Sequence, residues 1–164
     1  MEMNGLVRVF TGEGPGKTSA AMGLALRAIG AGGRIYIARF LRAWEDEEWK
    51  GFARLDGDVM FRQFGRRGLM EEEPREDDFR AAREALDEIR RAIRSGTYSM
   101  VILDDVNIAA CLGLFSVEDL LALIEAKPQQ VELVIAGCCA DPRIIQRADR
   151  VTEMQEVKGR GREC

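Results

Sequence analysis

Short apolar runs alternate along this chain with longer stretches of helical character. Leu6 to Phe10 (LVRVF) predicts a first strand that runs into a glycine-rich turn, TGEGPGKT at 11–18. The following SAAMGLALRAIGAGG is rich in alanine and leucine, with Arg27 near its end and glycines beyond, and predicts a helix from Lys17 to Ile29. Arg34–Leu41 (RIYIARFL) and Asp58–Phe64 (DVMFRQF) predict the second and third strands, with a short helix or loop at 44–55 between them. Gly65 to Asp78 mixes glycines, arginines, a proline and acidic residues, and reads as a mobile loop leading into a helix. In that helix Phe79, Ala82, Leu86, Ile89 and Ile93 recur at spacings of three and four and form a core stripe. On its outer face Asp87 pairs with Arg83 or with Arg91. Glu76, Asp77 and Asp78 fall in its first turn, where negative charge complements the backbone dipole; metal binding is the competing reading.

Ser95-Gly96 ends the helix, and Met100 to Leu103 (MVIL) predicts a buried central strand closing on Asp104-Asp105. Ser116 and Asp119 form a capping pattern for the helix VEDLLALIEA, which stops before Lys127-Pro128. Val131–Ala136 predicts another strand, Asp141-Pro142 starts a brief helix (RIIQRAD), and Arg150–Met154 is a last short strand before a fraying tail. Strands alternating with helices predict an α/β fold, a mostly parallel central sheet covered on both faces. One domain over residues 1–164 accommodates all of it, with no repeat or linker.

Composition removes several function classes. With 24 Lys+Arg against 28 Asp+Glu the net charge is −4, so no global positive field draws in nucleic acid. No uninterrupted apolar run approaches the ~20 residues of a membrane span, and MEMNGLVRVF lacks the features of a signal peptide, so a cytoplasmic chain is expected. Histidine is absent, which removes Ser-His-Asp and Cys-His nucleophile systems and most zinc sites. Cys111, Cys138, Cys139 and Cys164 show no C-x-x-C spacing and are expected as free thiols. Vicinal Cys138-Cys139 reads as two small apolar residues at a strand end, the other possibility being a redox or soft-metal pair.

The chemistry lies in the glycine-rich turn, which stands between a strand and a helix as a phosphate-binding loop requires. In the pattern G-x-x-x-x-G-K-[ST] the first glycine falls at position 11, where this chain has Thr11 followed by Gly12; Gly16-Lys17-Thr18 matches in full. Gly12, Gly14 and Gly16 let backbone N–H groups turn inward, Lys17 adds positive charge, and the Thr18 hydroxyl is suited to Mg²⁺; Glu13, Pro15 and Ser19 complete the nucleotide-binding stretch. Asp104, at the end of a central strand, is the metal carboxylate. Asp105 either orients water or a metal-bound ligand or is a solvated carboxylate at the strand end.

These residues resemble a known family. Thr11 to Ala21, Gly23-Leu24-Ala25-Leu26-Arg27-Ala28, Val101-Ile102-Leu103-Asp104 with Asn107, and Ala148-Asp149 with Val151-Thr152-Glu153-Met154 are similar, in order and over nearly the whole chain, to the ATP:corrinoid adenosyltransferases. The resemblance implies a RecA-like P-loop fold in three layers. It also implies a homodimer that transfers the 5′-deoxyadenosyl group of ATP to Co(I) of a corrinoid, with triphosphate released and cobalt reduced by a flavoprotein or flavodoxin-type partner. Lys17, Thr18, Asp104 and Asp105 become the catalytic set, and Phe64, Leu69 and Met70 fall where the family places its apolar corrinoid loop; ordinary packing is the other account of those three. Co(I) is its own nucleophile, so the lack of histidine is no handicap. The chain departs from the family at Asp105 for Glu, Cys138 for a phosphate-facing Arg, Gly159 for His and Leu69 for an aromatic residue. A lost phosphate arginine is worth about 2 to 4 kcal/mol of transition-state stabilisation, with Arg39, Arg42 and Arg143 as candidate substitutes. Two further readings follow: a divergent ATP-binding relative without adenosyl transfer, and a generic P-loop ATPase.

Overall fold

The computed structural model describes residues 5–41, 47–52, 54, 57–65 and 72–159. Six strands form one sheet: β1 (Val7–Thr11), β2 (Ile35–Phe40), β3 (Val59–Phe64), β4 (Met100–Asp104), β5 (Glu132–Ala136) and β6 (Arg150–Glu153), in the order β3-β2-β4-β5-β1-β6. Every pairing is parallel. Parallel neighbours need crossovers, and the helices α1 (Lys17–Gly30), α2 (Glu47–Phe52), α3 (Glu76–Arg94), α4 (Val106–Cys111), α5 (Val117–Ala126) and α6 (Pro142–Arg147) occupy them. This is the α/β architecture, a parallel central sheet covered by helices on both faces, that the sequence led us to expect.

The pleat divides the core in two. Tyr36, Ala38, Phe40, Val101, Leu103, Leu133 and Ile135 join α3, α5 and α6 on one face. Ile35, Ile37, Met100, Ile102 and Val134 meet Ala21, Met22 and Ala25 of α1 on the other. Residue 39 shares the α1 face by parity, and β2 is buried along its whole length, so an arginine there needs a partner inside the protein. In register it lies opposite Asp104.

Several expectations change in detail. α4 is a helix that the apolar pattern did not reveal. Phe79 is the exposed end of the α3 stripe at 36 % accessibility, while Ala82, Leu86, Ile89 and Ile93 are buried as expected. Asp87 pairs with Arg90 at 3.2 Å rather than with Arg83 or Arg91. Asp78 is buried and accepts the Arg75 N–H at 2.8 Å, a capping role, and no cluster of three or more metal-ligating side chains occurs among the described residues. Cys138 is half-buried and Cys139 exposed, so the vicinal pair is not the apolar strand end it resembled. No described helix is long and apolar enough to cross a membrane.

The α5 cap is as the sequence indicated: Ser116 Oγ accepts the Asp119 N–H at 3.2 Å, and Asp119 returns a carboxylate to the Ser116 N–H at 2.8 Å. Ser116→Ala removes one half of this box. The expected cost is about 1 kcal/mol, seen as a lower urea midpoint at unchanged m-value.

Candidate functional site

The site is assembled at the carboxyl end of the sheet, between β1 and β4, which are held apart by β5. Such a crevice is where open α/β sheets bind ligands. β1 ends at Thr11, and the chain turns through Gly12, Glu13, Gly14, Pro15 and Gly16 into α1. Gly12 has φ +94°, and a Cβ there would sit 2.4 Å from the Met154 carbonyl oxygen, so only glycine fits. Gly16 is the N-cap of α1 with φ 103°. No side chain caps that helix and no acidic residue lies in its first turn, which leaves the helix start suited to an anion.

The loop is held in shape by the segment after β6. The Met154 N–H donates to Thr11 O at 2.8 Å and the Gly14 N–H donates to Met154 O at 2.9 Å. Below them, the Val7 N–H donates to the Asp149 carboxylate at 2.7 Å and the Asp149 N–H returns to Val7 O at 2.9 Å. The selective Ala-Asp-x-Val-Thr-Glu-Met segment is thus scaffolding for the loop. A cavity of about 380 Å³ lies between the two, walled by Glu13, Gly14, Glu153, Met154, Gln155 and Glu156.

Lys17 Nζ lies over the loop, donating to Gly12 O at 2.8 Å and to Gly14 O at 2.7 Å. Thr18 Oγ1 donates to Asp104 Oδ1 at 2.9 Å, which joins the first turn of α1 to the end of the central strand. Asp104 Oδ2 lies 3.5 Å from Arg39 Nε, with both side chains 1 % exposed. Asp105 follows in a left-handed turn (φ 57°) as the N-cap of α4. Aspartate tolerates that conformation better than most residues, which accounts for the shorter carboxylate at this position. The Asn107 amide donates to Gly137 O at 3.1 Å, and the Gly137 N–H donates to Phe10 O at 3.1 Å, so the start of α4 and the loop after β5 are fastened beside the crevice.

The structure therefore brings together Gly12, Glu13, Gly14, Pro15, Gly16, Lys17, Thr18 and Ser19 with Asp104, and sets Asp105 one residue beyond. Phe64 is placed apart, at the end of β3, where its ring packs 5.6 Å from Phe40. Leu69 and Met70 lie outside the described residues, as does Arg42. Arg143 is engaged by Asp141 and by Glu118, which hold its guanidinium above its ordinary pKa, and so it does not serve the loop. Of the two candidate arginines among the described residues, Arg39 reaches the site, and it does so through Asp104. Its signal in the sequence was a cation in the middle of an apolar strand.

A profile of the family described as ATP:corrinoid adenosyltransferase BtuR/CobO/CobP matches residues 3–163. A corrinoid adenosyltransferase of Pseudomonas aeruginosa is 32% identical over 94% of this chain and 76% of its own length. One from Escherichia coli K12 is 30% identical over 94% of this chain and 78% of its own length. The Salmonella typhimurium protein is 29% identical over 96% and 80%.

Arg39→Met leaves the Asp104 carboxylate buried without its guanidinium. The expected loss is about 3 kcal/mol in denaturant unfolding, most of it recovered in the Arg39→Met/Asp104→Leu double variant. Equal losses in the two variants would show that the ion pair is not the source.

Proposed function

We propose, from the premise that this chain belongs to the ATP:corrinoid adenosyltransferase family, that it transfers the 5′-deoxyadenosyl group of ATP to Co(I) of a corrinoid and releases triphosphate. The observation that carries this reading is the conjunction of Lys17 over the glycine turn with the Thr18–Asp104 hydrogen bond at 2.9 Å. Backbone N–H groups at an uncapped helix start, with an ammonium beside them, suit a polyanionic leaving group. Lys17 has a third N–H beyond the two given to loop carbonyls, and a phosphate oxygen is a stronger acceptor than either.

Thr18 Oγ1 and Asp104 Oδ1 are hard oxygen donors in contact, a set that fits Mg²⁺, which takes one or two protein oxygens and fills its shell with phosphate and water. When bound there, the ion would neutralise charge on the triphosphate. The Arg39 guanidinium, 3.5 Å from the second carboxylate oxygen, favours by its charge the orientation in which Asp104 presents the first to Thr18. Asp105 adds negative charge at the same strand end and takes the role of orienting a metal-bound ligand. The cavity between the loop and residues 153–156 takes the adenosine end, since the carboxylates of Glu13, Glu153 and Glu156 accept hydrogen bonds from ribose hydroxyls and repel phosphate.

Displacement at the ribose C5′ asks the protein for alignment and for stabilisation of the leaving group, and no side chain need carry a proton. A corrinoid stands on the open side of the crevice, with Phe64, Leu69 and Met70 as candidate apolar contacts. Homodimer formation and a flavin-bearing reductant belong to this proposal. A second reading, ATP binding without transfer, is favoured by one feature: Cys138 stands where the family has an arginine, and Arg143 is occupied elsewhere.

Incubation with Mg-ATP and a chemically reduced corrinoid separates the readings. The expected products are a light-sensitive Co–C bond and triphosphate in equal amounts; ATP bound but intact supports the second reading, and ADP with phosphate would mean a generic ATPase. Lys17→Ala is expected to weaken ATP binding, measured by calorimetry, at least 100-fold, or about 2.7 kcal/mol.

A further inference from the structure

A second cavity, also of about 380 Å³, opens beside α4 and the loop after β5, bounded among others by Ala110, Cys111, Leu120, Cys139, Ala140 and Ile144. Its size is that of a small-molecule pocket, and its walls combine apolar side chains with two thiols, the Asn107 amide and the Asp141 carboxylate. Those thiols come from different elements: Cys111 ends α4, and Cys139 lies in the loop after β5. Both are exposed and neither is in a disulfide.

The two are in contact. Cys111 Sγ lies 3.7 Å from the Cys139 carbonyl oxygen, the S–H donating. Desolvation by the cavity wall raises the pKa of the Cys111 thiol, and the adjacent Cys139 thiol and the Asp141 carboxylate raise it further. Cys139 is held at φ 59°, a left-handed conformation that turns its side chain out of the line of β5. A tetrahedral metal ion would want further ligands, and no group of three or more His, Cys, Asp or Glu side chains placed to hold one occurs among the described residues. Two accessible thiols on one pocket, with the Cys111 S–H touching the backbone of Cys139, are suited to thiol–disulfide exchange.

We propose that Cys111 and Cys139 form an oxidisable dithiol, a modification site that reacts with low-molecular-weight disulfides of the glutathione class. Cys139 attacks as thiolate one sulfur of RSSR, and one RS⁻ leaves. The Cys111 sulfur, its proton given to water, attacks the Cys139 sulfur of the mixed disulfide, and the second RS⁻ leaves. Two protein thiols are oxidised, RSSR is reduced to two RSH, and the bridge ties the end of α4 to the loop after β5. The vicinal Cys138 takes no part.

The test uses the full chain, fully reduced, then exposed without oxygen to oxidised glutathione, quenched with an alkylating agent and read by intact mass and peptide mapping. The wild-type protein and Cys138→Ser are expected to lose two hydrogens and two alkylation sites, with the linked peptides containing Cys111 and Cys139. Cys111→Ser is expected to stop at a stable glutathione adduct on Cys139, and Cys139→Ser to form no bridge. Melting curves of the serine variants confirm that each is folded. A bridge through Cys138 or Cys164, a bridge between two chains, or stable glutathione adducts on both Cys111 and Cys139 would overturn the proposal.

Discussion

A single carboxylate at the end of the central strand organises the site. Asp104 meets Thr18 through one oxygen and Arg39 through the other, so α1, β4 and β2 converge on one buried group. Burying a charge is unfavourable unless it is paired, and the pairing is what fixes the geometry: strand parity puts residues 39 and 104 on the α1 face and in register with each other. β5, inserted between β4 and β1, supplies the distance that opens the crevice between the carboxylate and the glycine turn.

The departures from the family pattern have different physical weights. Asp105 is a consequence of backbone conformation, since a left-handed N-cap suits aspartate, and its carboxylate stays at the strand end. Cys138 is different in kind: the resemblance leads one to expect a guanidinium there, and the candidate arginines among the described residues are engaged, Arg143 with Asp141 and Glu118, Arg39 with Asp104. Among the described residues, positive charge at the loop therefore rests on Lys17 and on backbone N–H groups. In the proposed reaction that places the burden of holding triphosphate on the main chain.

Much of this was legible in the sequence because the relevant signals are local. The glycine turn with Gly16-Lys17-Thr18, the Ser116–Asp119 box and the Asp141-Pro142 start each depend on residues within a few positions of one another. What escaped depends on contacts across the sheet or on short-range ambiguity. α4 has six residues, mostly small and without polar alternation, and its N-cap is Asp105, which read as the end of a strand. Asp87 has arginines at several workable spacings, and the sequence does not rank them. Arg39 reads as an oddity in an apolar run until the register with Asp104 is known, and Cys111 and Cys139 are brought together only by the path of the chain around α5.

The dependence of the glycine turn on residues near 154 has a consequence for how the molecule is made. Val7 and Asp149, whose mutual clamp starts the β1–β6 ladder, are 142 positions apart. During translation the turn emerges before Met154 and lacks the amide and carbonyl of that residue until it has followed. Closure between residues so far apart in the chain is slow, so the turn takes its final shape only after β1 and β6 have met.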